Sequence, residues 1–151
     1  MKEKKKTKPF VHLPHAREEE QKEVMNRILA AGECPFCVDN LFKYHKRPIV
    51  RMSSSWLLTE NQWPYKHTKL HLLLISTVHQ EKLSELSQIA RLEFWEMITW
   101  AEAAYDIKSG GLGLRFGDPK DNGGTVRHLH AHLIVPDKKR ADYESPRFKI
   151  G

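Results

Sequence analysis

The segment that most constrains this chain is His128-Leu129-His130-Ala131-His132, continued by Leu133-Ile134-Val135. Its polar and apolar residues alternate with a period of two, the pattern of a β-strand. On such a strand His128, His130 and His132 share one face, about 6.6 Å apart at each step. Leu129, Ala131 and Leu133 cover the other face. The strand must sit in a sheet that buries one side and lines up three imidazoles on the other. Imidazole is the side chain best suited to be nucleophile, acid, base or metal ligand near neutral pH. A tag-like histidine tract lacks interleaved Leu and Ala and sits at a terminus, so chemistry is the better reading.

The approach to that strand is Asp121-Asn122-Gly123-Gly124-Thr125-Val126. Glycine permits positive φ and close approach, so such a turn can aim backbone N–H groups at an anion. Thr125 adds a hydroxyl that can donate to a phosphoryl oxygen. By itself Gly-Gly-Thr would be an ordinary hairpin turn. Directly before three histidines, a phosphate-binding loop is expected.

A coarse pass along the chain gives the architecture. Ala16 to Ala31 reads as a helix, with Val24, Met25, Ile28 and Leu29 on one face and Gly32 closing it. Ile49 to Thr59 is strand-like, interrupted by Ser53-Ser54-Ser55. Leu70 to Ser76 reads as a buried strand. A long helix is expected from about Ser87, a possible N-cap, to Ile107. Its buried stripe is Leu86, Ile89, Ala90, Phe94, Met97, Ala101 and Ala104, bordered by Trp95 and Trp100. Leu112 to Phe116 is a further strand, followed by the glycine loop and the histidine strand. From Asp137 onward the chain is polar and reads as irregular. Hairpin-joined strands with one long helix on a face argue an α+β fold with an antiparallel sheet.

At 151 residues and 40% hydrophobic content the chain is the size of one globular domain, expected over residues 16–151. No apolar run approaches the ~18–20 residues of a membrane span, and no apolar h-region marks a secretory signal. A cytoplasmic protein is expected. The net charge is +6, and much of it is local: Lys2, Lys4, Lys5, Lys6 and Lys8 face Glu3 alone. Residues 1–15 therefore read as a basic mobile tail, usually solvated and able to touch nucleic acid only weakly. The only cysteines form Cys34-Pro35-Phe36-Cys37. Without a secretory signal a structural disulfide does not fit, and a redox pair belongs near a βαβ pattern that is absent. Two thiolates at this spacing make half of a tetrahedral zinc site and need two more ligands. A free thiol pair is the remaining alternative.

The run His128 to Ile134 resembles the histidine triad (HIT) family pattern, His-φ-His-φ-His-φ-φ. A second block agrees with it: Asn61-Gln62-Trp63-Pro64-Tyr65, then His71-Leu72-Leu73-Leu74-Ile75, then His79. The resemblance runs from about Cys34 to about Pro136. It implies a five-stranded antiparallel sheet with a long helix and an N-terminal helical segment, doubled in a homodimer. It also implies a nucleotidyl hydrolase or transferase that attacks the α-phosphate of a nucleotide ester, phosphoramidate or dinucleoside polyphosphate. His130 matches the family's nucleophile and would form a covalent nucleotidyl-histidine. His132 and His71 would complete the catalytic cluster. Thr125, with the amides of Gly123 and Gly124, would hold phosphoryl oxygens, and Asn61 the nucleoside. For the cysteine pair, relatives with this motif take the missing zinc ligands at positions matching His79 and His128. The implied zinc site, Cys34, Cys37, His79 and His128, is closed and structural.

Two departures bear on the substrate. Many HIT hydrolases carry Gly-Gln-Ser where this chain has Gly123-Gly124-Thr125, so the amide is missing. At the usual Asn of the preceding strand stands Arg115, which can grip an extra phosphate bidentately. The missing amide together with the upstream Asn61–Tyr65 block looks like the dinucleoside polyphosphate phosphorylase branch, although the segment Val135-Pro136-Asp137-Lys138 does not match its ending. A non-catalytic nucleotide-binding adaptor is the alternative of another class. A zinc hydrolase using all three triad histidines as ligands competes poorly, because it leaves Cys34, Cys37 and His79 without a role.

Overall fold

The structure, a computed structural model, describes residues 8–151. It is an α+β fold built on a five-stranded antiparallel sheet. The strands are β1 (Ile49–Met52), β2 (Trp56–Glu60), β3 (Thr68–Ser76), β4 (Gly111–Arg115) and β5 (His130–Pro136), in the spatial order β1-β2-β3-β5-β4. The helices among the described residues are α1 (Glu19–Ala31), α2 (Val38–Tyr44), α3 (Gln88–Ala104) and the single turn α4 (Pro119–Asn122).

The histidine strand becomes central because β3 and β4 both pair with it. Its register sets Leu73 and Gly113 opposite His132, and Ile75 and Arg115 opposite His130. Directly opposed residues share a face. One face of the sheet therefore carries His71, Leu73, Ile75, His130, His132 and Arg115. The other carries Trp56, Leu58, Leu72, Leu74, Ala131 and Leu133, which pack with Leu129 against α3 through Leu86, Ala90, Phe94, Met97 and Ala101.

Helix α3 starts where Ser87 caps it, its hydroxyl accepting from the Ala90 N–H at 3.0 Å. The expected stripe is right for Leu86, Ala90, Phe94, Met97 and Ala101, but Ile89 is 63% exposed and Ala104 faces solvent. The buried stripe is narrower than the apolar content of the helix, and Leu92 and Trp95 also stand outside it at 62% and 59% exposure. The serine interruption of the 49–59 segment is a hairpin turn. The Glu93 carboxylate accepts from the Ser53 hydroxyl at 3.0 Å, the Ser54 hydroxyl at 2.7 Å and the Ser55 N–H at 2.8 Å. Those bonds pull the Glu93 carboxyl down to about 2 and clamp the hairpin to α3. Trp56 Nε1 donates to the Ala90 carbonyl in the same interface.

Helices α1 and α2 cover the histidine face. α1 starts at Glu19, three residues later than its apolar pattern suggests, and buries Val24, Met25 and Ile28 with Val11. Leu41 of α2 packs on Leu57, Leu73 and Ile75. Residues 8–15, expected as part of a mobile tail, are docked. Val11 is buried and bridges Val126, the His12 N–H donates to the Thr125 carbonyl, and the Pro9 and Phe10 carbonyls accept from Arg127. Burying Val11 under α1 pulls this segment onto the loop before β5. The lysine-rich stretch 1–7, and with it the weak nucleic-acid contact that its charge allows, lies outside the described residues. The segment after Asp137 is irregular, as expected, but it folds back: the Phe148 ring lies where a Cβ on Gly113 would meet it at 2.7 Å, so the glycine lets the ring approach the strand closely. No helix is long and apolar enough to cross a membrane among the described residues.

Candidate active site and metal centre

Of the three triad histidines, expected on one strand face, only His130 and His132 lie on β5. His128 lies just before β5, and its Nε2 donates to the Ser76 carbonyl at 2.7 Å. Its Nδ1 faces Cys34 Sγ at 3.3 Å and Cys37 Sγ at 3.8 Å, while His79 Nδ1 lies 3.4 Å from Cys37 Sγ. The four donor atoms all fall within 4.8 Å of one another. Zinc bonds of about 2.0–2.3 Å set tetrahedral donors about 3.3–3.8 Å apart, the range of these three thiol–imidazole contacts. The carbonyl on His128 Nε2 leaves the lone pair on Nδ1, the atom facing the thiols, which is how ligating histidines are oriented. His79 Nε2 is similarly placed 3.4 Å from Glu81. Burial pushes the Cys34 thiol up to about 12, so a thiolate there needs a cation. Donor types, spacing and orientation all fit zinc.

His130, second in the triad, is buried, with its Nδ1 donating to the His128 carbonyl at 2.6 Å. Phe36, between the two cysteines, sets its ring edge-on to His130 at 5.0 Å. Burial pulls His130 down to about 4, so the ring is neutral near pH 7. With its proton held on Nδ1, Nε2 carries the lone pair.

His132 and His71 form a second relay. The Tyr65 backbone N–H donates to His71 Nδ1 at 3.0 Å, and His71 Nε2 lies 2.8 Å from His132 Nδ1. An amide N–H can only donate, so His71 Nδ1 must accept, and its proton sits on Nε2. His71 then donates to His132 Nδ1, which leaves the His132 proton on Nε2. Burial holds both rings neutral, pulling His71 to about 3 and His132 well below the ordinary value. His132 Nε2 is buried and has no partner among the described residues. The site therefore holds one imidazole with a bare nitrogen and one with a spare N–H, their rings 5.1 Å apart.

A cavity under α1 opens onto these rings. It is lined by His130, His132, Arg115, Gly123, Gly124 and Thr125 at one end, and by Val24, Met25, Ile28, Tyr44 and Trp63 at the other. Asn61 also lines it, but its amide works inside the protein. Its Oδ1 accepts from the Trp63 N–H at 2.9 Å and its Nδ2 lies 3.4 Å from His71 Nδ1. In the glycine loop the Gly124 N–H is taken by Asn122 Oδ1 at 2.8 Å, and the Lys149 carbonyl lies against Gly123. Of the expected anion donors, the Thr125 hydroxyl keeps no internal partner among the described residues.

Sequence reading missed Tyr65, Arg17 and Phe148. Tyr65 stacks on His132 with ring centroids 5.6 Å apart and an interplanar angle of 16°. The Arg17 guanidinium lies over the same tyrosine ring at 4.4 Å, and Arg115 Nη1 donates to its hydroxyl at 3.1 Å. Phe148 packs on Arg115 at 3.8 Å and on His132 at 5.4 Å. Tyr65 belongs to the quoted Asn61–Tyr65 block and had a signal. Arg17 stands beside a glutamate run and Phe148 in a polar tail, and neither has one.

The family profile described as HIT domain matches residues 65–139, which span β3 to β5 and hold all five of these histidines. The chain belongs to the histidine triad family. The HIT fold is also what its structural likenesses share. A hypothetical protein from Leishmania major is 24% identical with a TM-score of 0.57, covering 80% of this chain and 82% of its own. A zinc-bound histidine triad family protein from Mycobacterium smegmatis is 16% identical with a TM-score of 0.54, covering 77% and 83%. A HIT family hydrolase from Clostridium thermocellum is 19% identical with a TM-score of 0.52, covering 77% and 97%. No curated protein matched at the sequence level. The HIT family is one of nucleotide hydrolases and transferases.

Proposed function

We propose that this HIT protein is a nucleotidyl hydrolase or transferase in which His130 Nε2 attacks the α-phosphorus of a nucleotide ester, phosphoramidate or anhydride. The observation that carries this reading is the 2.6 Å bond from His130 Nδ1 to the His128 carbonyl. It leaves a neutral imidazole with its lone pair on the nitrogen opposite, the form in which histidine is nucleophilic. A P–N bond forms to His130 as the bond from phosphorus to the leaving group breaks, and the electron pair departs with that group. His132 Nε2–H, held on that nitrogen by His71, donates to a phosphoryl oxygen or to the departing atom. A buried donor with no internal partner is preorganised for charge that develops only during reaction. Water or another acceptor then attacks phosphorus, the P–N bond breaks, and His130 recovers its lone pair.

The remaining residues divide the substrate between them. Thr125 and Arg115 serve the phosphate, and the apolar end of the cavity under α1 takes the nucleoside, with Asn61 positioning His71 beside it. Zinc at Cys34, Cys37, His79 and His128 is structural: it ties the 34–37 segment, and with it Phe36, to the start of the histidine strand. A homodimer is supported by the apolar surface of α3 at Ile89, Leu92 and Trp95.

The test is a panel of nucleotides assayed with and without inorganic phosphate, using wild type and His130→Ala. Release of a nucleoside monophosphate by wild type alone is expected, together with an acid-labile protein adduct from an α-phosphate-labelled substrate. An adduct that persists in His130→Ala would refute the assignment. Products that incorporate inorganic phosphate would mark a phosphorylase.

A further inference from the structure

Two guanidinium groups meet on one tyrosine beside the histidine cluster. Arg17 comes from the segment before α1 and lies over the Tyr65 ring at 4.4 Å, its Nη2 donating to the Trp63 carbonyl at 2.6 Å. Arg115 comes from the end of β4 and reaches the Tyr65 hydroxyl with Nη1 at 3.1 Å, while its Nε donates to the Lys149 carbonyl at 2.7 Å. Ion pairs formed by Arg47, Arg127 and Arg140 occur elsewhere, but neither Arg17 nor Arg115 has a carboxylate within 4.0 Å among the described residues. Beyond the Trp63 carbonyl Arg17 has only the Tyr65 hydroxyl as a side-chain partner, and Arg115 Nη2 has no acceptor among the described residues. Both arginines line the cavity that holds His130, His132 and Thr125. Tyr65, which carries both, is itself buried and stacked on His132.

Arg17 is exposed and Arg115 half-buried, so the feature that points to an anionic ligand is that both guanidiniums border one cavity with no carboxylate beside either. The neighbouring imidazoles supply no negative charge, since histidine is either neutral or cationic; burial and these same two cations keep His71 and His132 in the neutral form. One phosphodiester at the attack site brings a single negative charge. Two guanidiniums with open donors match a chain carrying at least one phosphate more, since planar N–H forks pair with phosphate oxygens. Arg17 has a purely structural alternative, which is to anchor its segment to Trp63.

We propose that Arg17 acts with Arg115 across Tyr65 as a specificity residue that selects substrates whose leaving group bears phosphate, such as dinucleoside polyphosphates, over nucleotide esters or phosphoramidates with an uncharged leaving group. This rests on the nucleotidyl reaction proposed above. It assigns the leaving-group side of the cavity to the Arg17–Tyr65–Arg115 edge.

The experiment compares wild type, Arg17→Gln and Arg17→Lys on a dinucleoside tetraphosphate and on a nucleoside 5′-phosphoramidate. Charge-assisted hydrogen bonds to phosphate set the expected scale. Arg17→Gln should lower kcat/KM for the tetraphosphate by roughly 10- to 100-fold and for the phosphoramidate by less than about 3-fold. Arg17→Lys should fall between. Equal losses on both substrates, or none on either, overturn the proposal while leaving the His130 reaction standing. A readout that needs no variant is inhibition of wild-type phosphoramidate turnover. Inorganic tripolyphosphate should inhibit at least about tenfold more strongly than orthophosphate, and equal inhibition overturns the assignment. If wild type turns over no nucleotide, calorimetric titration with tripolyphosphate separates the two readings. Binding that weakens in Arg17→Gln supports the anion site without the reaction, and absence of binding by wild type removes the site as well.

Discussion

His71 Nε2 lies 2.8 Å from His132 Nδ1, and the direction of that bond is set by the backbone amide of Tyr65, which donates to His71 Nδ1. Because the Tyr65 N–H occupies His71 Nδ1, the proton order runs from His71 to His132 and ends on His132 Nε2, inside the cavity. His71→Ala should free His132 to adopt either tautomer. We expect kcat to fall roughly 10²-fold with KM nearly unchanged, the pattern of a lost orienting partner. Nitrogen-15 chemical shifts of His132 check the cause: a single Nε2–H form in wild type, a mixture in the variant. A variant that retains full kcat sinks this role for His71.

The nucleophile and the first triad histidine should separate cleanly. His130→Ala should cost about 10⁴-fold or more in kcat while leaving nucleotide affinity and melting temperature close to wild type. His128→Ala should instead lose bound metal and stability, since its Nδ1 faces Cys34 and Cys37. Metal content and thermal melting, measured beside activity, distinguish the two.

Zinc is expected at one ion per chain in protein purified without chelator. Cys34→Ser should lower metal content and melting temperature together, the latter by roughly 10 °C or more, because site assembly is part of the folding free energy. Elemental analysis that finds no zinc in wild type under reducing conditions contradicts the site.

Acid should destabilise the fold over a defined window. Burial pulls His45 and His130 to about 4 and His71 to about 3, with His132 also well below its ordinary value. Unfolded histidines titrate near about 6.5, so below that pH the unfolded state binds more protons than the native one. The contribution of these groups is therefore complete above about pH 6.5. It falls as pH drops toward 4, with a slope of about 1.4 kcal/mol per pH unit for each proton taken up. Urea unfolding at pH 7, 6 and 5 should show a midpoint that drops progressively. A midpoint that stays level across that range contradicts the neutral, buried histidine cluster.

The exposed face of α3 tests the assembly. Ile89, Leu92 and Trp95 stand 63%, 62% and 59% exposed on one helix, and a cluster of exposed apolar side chains can mark a protein interface. Light scattering at micromolar concentration should report a homodimer, and Leu92→Asp should shift it toward monomer. A wild-type monomer under those conditions ends this reading.

The sequence by itself determined whatever depends on local period and on residue chemistry. Alternation through His128–Leu133 placed His130 and His132 on one face and Ala131 and Leu133 on the other, because strand side chains can point only two ways. The stripe Ala90-Phe94-Met97-Ala101 marked the buried side of α3, and Cys34 and Cys37 read as half of a zinc site, with His79 and His128 added by the family resemblance. Tertiary structure decided what covers the histidine face and which way each nitrogen points. Arg17 reaches Tyr65 only because α1 crosses the sheet, and Phe148 reaches Arg115 only because the segment after β5 turns back past Gly113. The tautomers of His71 and His132 depend on one amide, at Tyr65, and the lone pair of His130 on one carbonyl, at His128. Periodicity constrains neighbours along the chain. Contacts between distant segments, and the proton positions they impose, follow from packing that no local pattern encodes.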